Sequence, residues 1–202
     1  MAEDVLTIRG QRMAQAAKGA TVSRAQVEKR IDPVTAATRH VALLAAIIAT
    51  CGSLFFSEAL GWVPCELCWF QRILMYPLTV ILTVGILRDD RGLHWYVLPL
   101  SLAGMAVSLY HYLEVLKVIP PSPCQGGVPC SIDYINLTGA LAFVKIPFLA
   151  LIAFTIISVM LGNYVVAGAP ATPAGRRRAA AIAAWAILGV TIVVFLVLGL
   201  VI

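Results

Sequence analysis

Long apolar stretches separated by short polar ones run along most of the chain, at 41–57, 73–87, 92–113, 146–175 and 179–202. A helix that crosses the hydrocarbon core of a bilayer needs about 20 such residues, with a range of about 17–25. The pattern therefore predicts five transmembrane helices, the second being short unless it begins near Trp69. Residues 1–40 mix basic, acidic and small residues and contain no apolar core of a cleavable signal, so they are expected to form a basic cytoplasmic tail, either simply solvated or held near anionic lipid by its charge. The stretch "LRDDRG" at 87–92 is a polar turn between two spans, and "AGAPATPAGRRR" at 167–178 is a Pro/Gly/Ala linker ending in a basic cluster. The expected fold is an all-α integral membrane protein. Its parts are a tail (1–40), a membrane domain (41–166), a linker (167–178) and a last transmembrane helix (179–202).

Composition strengthens this reading. Hydrophobic residues make up 60% of the 202 and charged residues 12%, about half the charge of an ordinary soluble domain. A net charge of +5 could suit nucleic acid, but the placement of the basic residues argues for a bilayer instead. Arg9, Arg12, Lys18, Arg24, Lys29, Arg30 and Arg39 precede the first span, Arg88 and Arg91 sit in the second connection, and Arg176, Arg177 and Arg178 in the fourth. Only Arg72, Lys117 and Lys145 fall on the other side, a split of twelve against three. Lys and Arg collect on the cytoplasmic face. The N-terminus is therefore expected inside, with the loops at 58–68 and 117–145 outside.

Those two loops carry four of the five cysteines: Cys65 and Cys68 in "PCELCWFQR", Cys124 and Cys130 in "PPSPCQGGVPC". Cys51, inside the first span, reads as a small packing residue. Disulfides persist outside the cytoplasm, so topology and cysteine placement agree. Three chemistries compete for the four outer thiols. Zinc would need four S or N ligands, and the second pair is spaced more widely than zinc motifs usually are. Structural staples would tie the loops, although a C-x-x-C closes too small a ring to restrict much chain. Redox work suits Cys68, which is expected at a helix N-terminus where unpaired N–H groups stabilise a thiolate. Arg72 follows four residues later on the same face, and a cation at the edge of hydrocarbon needs a partner or an exit to the headgroups. No haem-attachment or flavin motif occurs, and a lipid-soluble quinone fits the location best.

"PCELCWFQRILMYPL", "YHYL", the Cys124/Cys130 loop and "IPFLALIAF" together resemble the DsbB family of disulfide-bond formation proteins, in its BdbC-like branch, over about residues 41–165. The resemblance implies a four-helix transmembrane bundle, to which the fifth helix is an addition, in a bacterial cytoplasmic membrane. It implies a protein that reoxidises an extracytoplasmic, DsbA-like thioredoxin-fold oxidase and passes the electrons to ubiquinone or menaquinone from the membrane pool. By position, Cys65 and Cys68 resemble the quinone-coupled pair, with Cys68 beside the quinone. Arg72 and His111 are similar to family residues at the quinone, and Cys124 and Cys130 to the pair that exchanges with the partner, Cys124 forming the mixed disulfide. No bound metal is expected. The vitamin K epoxide reductase type fits the Gln71-Arg72 continuation less well. From another class, the alternative is a non-enzymatic membrane protein whose outer cysteines bind zinc or staple loops.

Overall fold

A computed structural model describes residues 37–120, 128–132, 134–135, 143–168, 172 and 174–201. Residues 1–36 of the expected tail, part of the 167–178 linker, and Cys124 lie outside the described residues. Five helices are each long and apolar enough to cross a membrane: α1 Ala37–Glu58, α2 Glu66–Leu87, α3 His94–Val115, α4 Ile146–Val166 and α5 Ala174–Val201. Among the described residues there is no strand.

The second span is not short. It begins ahead of its apolar run, at Glu66, because Cys65 caps it, and it ends in a Schellman closure: Asp90 N–H donates to the Gly85 carbonyl (2.8 Å) and Asp89 N–H to that of Ile86 (3.2 Å). Glycine usually occupies the left-handed residue of that motif, but here it is Asp89 (φ 52°). An aspartate tolerates the conformation better than most residues, and its carboxylate has a use described below. α4 stops at Val166, short of the apolar run to 175, where Gly168 turns the chain at φ 81°.

Helix α3 packs against both α2 and α4. Lipid tails are as apolar as leucine, so helices in a membrane associate through close packing and hydrogen bonds rather than through hydrophobic exclusion. Both appear here. A Cβ built on Gly104 of α3 would lie 2.2 Å from the Phe154 ring of α4, so that ring sits in the space a side chain would fill. Ser158 donates to Ser101 across the same pair (3.0 Å), and the hydroxyls of Thr50 and Thr79 join α1 to α2 (3.0 Å). Leu43, Leu78, Leu82, Val97, Ile157 and Leu161 fill the core, while Ile73, Val80, Trp95 and Val190 stand exposed on the outer faces, as lipid-facing residues do.

Helix α5 lies against α1 and α2 along a narrow seam: Ala184 and Thr191 are buried, and the Phe195 ring meets the Phe55 ring edge-on at 6.1 Å. Its start is fixed by a polar clamp. Asp89 accepts from Arg39 Nη2 (3.0 Å), from the Thr172 hydroxyl (2.7 Å) and from the Thr172 N–H (3.1 Å), and Arg177 stands 3.6 Å away. Arg39 also donates to Thr172 Oγ1 (2.6 Å) and lies over the Tyr164 ring. One clamp thus joins α1, the α2–α3 turn, the end of α4 and the approach to α5. All of it sits at the end of the bundle opposite Cys65.

Candidate active site

The first four N–H groups of a helix lack intrahelical acceptors, and in α2 a thiol supplies one. Cys65 is extended (φ −71°, ψ 174°), and its Sγ accepts from the Cys68 N–H at 3.4 Å. The sequence suggested Cys68 as the thiol at the helix N-terminus. Because the helix starts at Glu66, the capping thiol is Cys65, and Cys68 occupies the first turn. Both are free thiols with their sulfurs 3.1 Å apart, so a disulfide, at about 2.05 Å, requires only a small closure.

Cys65 is buried and faces α3. His111 Nε2 lies 3.6 Å from its sulfur and 3.0 Å from the carbonyl oxygen of Cys130, while His111 Nδ1 lies 3.0 Å from Gln71 Nε2. A carbonyl can only accept, so Nε2 carries the hydrogen and Nδ1 receives one from the Gln71 amide. The imidazole thereby bridges the C-x-x-C cap to the backbone of the second loop. The hydrogen bond shared between the two thiols, reinforced by His111 against the opposing effect of burial, pulls the Cys65 thiol well below its ordinary value. Cys130 is buried and disulfide-bonded.

Cys68 faces the other way, into a half-open cavity of about 540 Å³ lined chiefly by α1, α2 and α4. Cys68, Gln71, Arg72 and Tyr76 bring polar groups to walls that are otherwise almost wholly apolar. Arg72 does not extend freely toward headgroups. Its Nη2 donates to the Ser53 carbonyl of α1 at 3.2 Å, its guanidinium lies over Trp69 (5.3 Å), and Tyr76 donates to Ser53 Oγ (3.4 Å). Phe56, Trp62 and Tyr134, which also line the cavity, form a continuous stack with centroids 5.1 and 5.3 Å apart, and the Tyr134 hydroxyl donates to the Val63 carbonyl (2.9 Å). That stack ties the second loop to the first.

The structure thus gathers Cys65, Cys68, His111 and the Cys130 carbonyl, and sets Arg72 on the cavity side of Cys68. His111 and Glu114 do not line the cavity: His111 stands behind the dithiol, and Glu114 is buried one turn further along α3. Ser53, Trp62 and Tyr134 are not singled out by the sequence, and Gln71 enters there only as part of the Gln71-Arg72 continuation. Gln71 carried a usable signal, since a polar side chain one turn into a membrane span requires an internal partner. The sulfurs of Cys65 and Cys68 and a ring nitrogen of His111 lie within 4.8 Å of one another and could hold a metal ion. The four-cysteine zinc set is not available in this state, because the disulfide leaves Cys130 without a free thiolate.

A pocket of this size, apolar except for a few convergent polar groups, is what a small planar ligand needs. Arg72, Gln71 and Cys68 are the residues that could hold such a ligand by polar contacts. The family model described as "Disulfide bond formation protein DsbB" matches residues 35–202. Disulfide bond formation protein C of Bacillus subtilis is 47% identical over 126 residues, covering 60% of this chain and 88% of that protein. A probable disulfide formation protein C of Halalkalibacterium halodurans is 50% identical over 116 residues (56% and 82%), and a probable disulfide formation protein of Metapseudomonas resinovorans 43% over 121 residues (58% and 82%). No solved structure matches the chain.

Proposed function

The chain belongs to the DsbB family of disulfide bond formation proteins, and from that membership we propose that it is a protein-disulfide:quinone oxidoreductase of a bacterial cytoplasmic membrane. The observation that carries the reading is the position of Cys68, paired with Cys65 on one side and open to the cavity on the other. The cysteine end faces outward, which the twelve-to-three basic split and the location of Arg39 and Arg177 at the opposite end both support.

In the first step a thiolate of a reduced, extracytoplasmic thioredoxin-fold oxidase attacks Cys124 and breaks its bond to Cys130. The partner's second thiol then displaces Cys124, so the partner leaves oxidised and the loop pair is left as two thiols. The Cys65–Cys68 disulfide reoxidises that pair and becomes the dithiol. Exchange requires an attacking thiolate in line with a sulfur. Cys65, held beside the Cys130 backbone by His111, is the sulfur suited to attack by the Cys130 thiolate, which forms a Cys130–Cys65 bond and releases Cys68 as a thiolate; Cys124 then attacks Cys130, and Cys65, whose lowered thiol pKa makes it a good leaving group, departs. When bound, a quinone supplies a lipid-soluble acceptor of two electrons and two protons. Toward it Arg72 presents a planar donor, Gln71 an amide and Cys68 the reacting sulfur, while the apolar walls exclude water.

Purified protein should oxidise a reduced thioredoxin-fold dithiol only when quinone is added, and Cys130→Ser should accumulate a reducible adduct through Cys124, visible on non-reducing gels. Turnover indifferent to quinone, or no adduct in any single-cysteine variant, would overturn the reading. A second reading has one observation in its favour, the three clustered ligand atoms of Cys65, Cys68 and His111. Stoichiometric zinc in the purified protein, with no quinone-dependent turnover, would favour that one.

A further inference from the structure

We propose that α5 forms part of the quinone site, through Phe195, and sets the size of ring the cavity admits. The inference rests on the quinone reading of the cavity and extends it to a helix that carries no chemical motif. Among the described residues, Phe195 is the single residue of α5 in the cavity lining. Its ring lies against the open face of Gly52, where a Cβ would sit 3.9 Å from two of its carbons, and edge-on to Phe55 at 6.1 Å.

Gly52 and Phe55 are close neighbours in sequence of Ser53, whose carbonyl takes the hydrogen bond from Arg72. Phe195 therefore stands at the same depth as the guanidinium, in the layer that would surround a quinone ring rather than its isoprenoid tail. Most of α5 beyond this seam is apolar and exposed, so the helix contributes little to the core of the bundle. Its height is fixed from the far end. Thr172 and Arg177 at the Asp89 clamp and the His40 contact with the Ala180 carbonyl (3.0 Å) set the register, and the 18 residues from Arg177 to Phe195 rise about 27 Å at helical pitch. A clamp at one face of the membrane thus delivers one aromatic ring to the site near the other.

The test is binding, measured by titration calorimetry on the full-length, detergent-solubilised protein, using a one-ring benzoquinone and a two-ring naphthoquinone with the same short tail. Phe195→Ala should shift the ratio of dissociation constants toward the two-ring ligand, and Phe195→Trp should shift it the other way. Each shift should reach about tenfold, the lower end of what a methylene's worth of pocket space decides. Phe195→Leu, which keeps the seam apolar, should fall between parent and Phe195→Ala and guards against a folding defect. Ratios that stay together across all three variants while the parent binds quinone would overturn the role of Phe195 alone. A parent that binds neither ligand would overturn the quinone reading and this inference with it.

Discussion

The side-chain amide of Gln71 and His111 Nδ1 lie 3.0 Å apart, 40 residues distant in sequence, and this hydrogen bond decides which imidazole nitrogen faces the cysteines. Nε2–H is left to the Cys130 carbonyl and the Cys65 sulfur. On the proposed reading, this hydrogen bond gives Gln71 and His111 a part in exchange between the two cysteine pairs.

Gln71→Leu removes the donor and leaves a buried Nδ1 unpaired, which costs about 1–3 kcal/mol. The expected outcome is a lower unfolding temperature together with slower transfer between the loop pair and the C-x-x-C pair, followed by quenched thiol trapping. Gln71→Asn, too short to reach, should behave like the leucine variant. Unaltered transfer in both would show that the imidazole is held by something else.

The Cys65 thiol is pulled well below the ordinary thiol range, chiefly by its hydrogen bond with Cys68. A thiolate exists above its own pKa, so lowering that value extends reactivity into acid. In fully reduced Cys68→Ser, where a hydroxyl can replace the donor, Cys65 should still alkylate readily at pH 6. In Cys68→Ala its alkylation profile should move upward toward the ordinary thiol range of about 8.5. Mass spectrometry of the Cys65 peptide against pH reads this directly, and coincident profiles would remove Cys68 as the cause.

Arg72 engages the Ser53 carbonyl and the Trp69 ring through a planar group with several donors. Lysine keeps the charge but not the plane. Losing one charge-assisted hydrogen bond to a quinone carbonyl costs about 1.5–3 kcal/mol, so Arg72→Lys should raise the quinone concentration for half-maximal turnover at least about tenfold. Exchange with the partner at Cys124 should be untouched. A wild-type quinone dependence would reduce Arg72 to an anchor for α1.

Burial raises the Asp89 carboxyl, but the hydrogen bonds from Thr172 and Arg39 outweigh it and hold the group below its ordinary range. A carboxylate with a depressed folded-state pKa contributes stability that is present above the unfolded value, about 3.9, and is lost as pH falls through the folded one. Asp89→Asn should destabilise the bundle by about 3–5 kcal/mol, because Arg39, 2% exposed, would keep a buried charge without its counter-ion. The deficit should show in thermal unfolding at neutral pH and narrow at the acid end. Arg39→Met with Asp89→Asn should recover part of it.

Gly104 is the place where α3 makes room for Phe154, a ring that also lines the cavity. Gly104→Ala forces that ring to move, at about 1–3 kcal/mol for an overpacked core. The displacement has the cavity as its outlet. Quinone binding should weaken along with stability, whereas Phe154→Leu in the same background should restore both; titration calorimetry and thermal unfolding would check this.

The five spans were legible because the length of an apolar run is a property of consecutive residues. The start of α2 was not, since it depends on Cys65 capping a turn that is itself polar. Cys65, Cys68 and Arg72 could be grouped by helical spacing, and His111 by resemblance, but their division of labour depends on contacts such as Gln71 to His111. Arg39 illustrates the limit most clearly. In the sequence it is one of twelve basic residues on a face, whereas in the fold it is buried between Asp89, Thr172 and Tyr164.

The clamp at Arg39 also has a history in time. Arg39 is synthesised 50 residues before Asp89 and 133 residues before Thr172. At ribosomal speeds of about 5–20 residues per second, the second of those gaps lasts roughly 7–27 s. Through that interval the Arg39 guanidinium lacks part of the set of partners it has in the fold. A chain cut short before Thr172 would leave Arg39 and Asp89 without the hydroxyl that joins them.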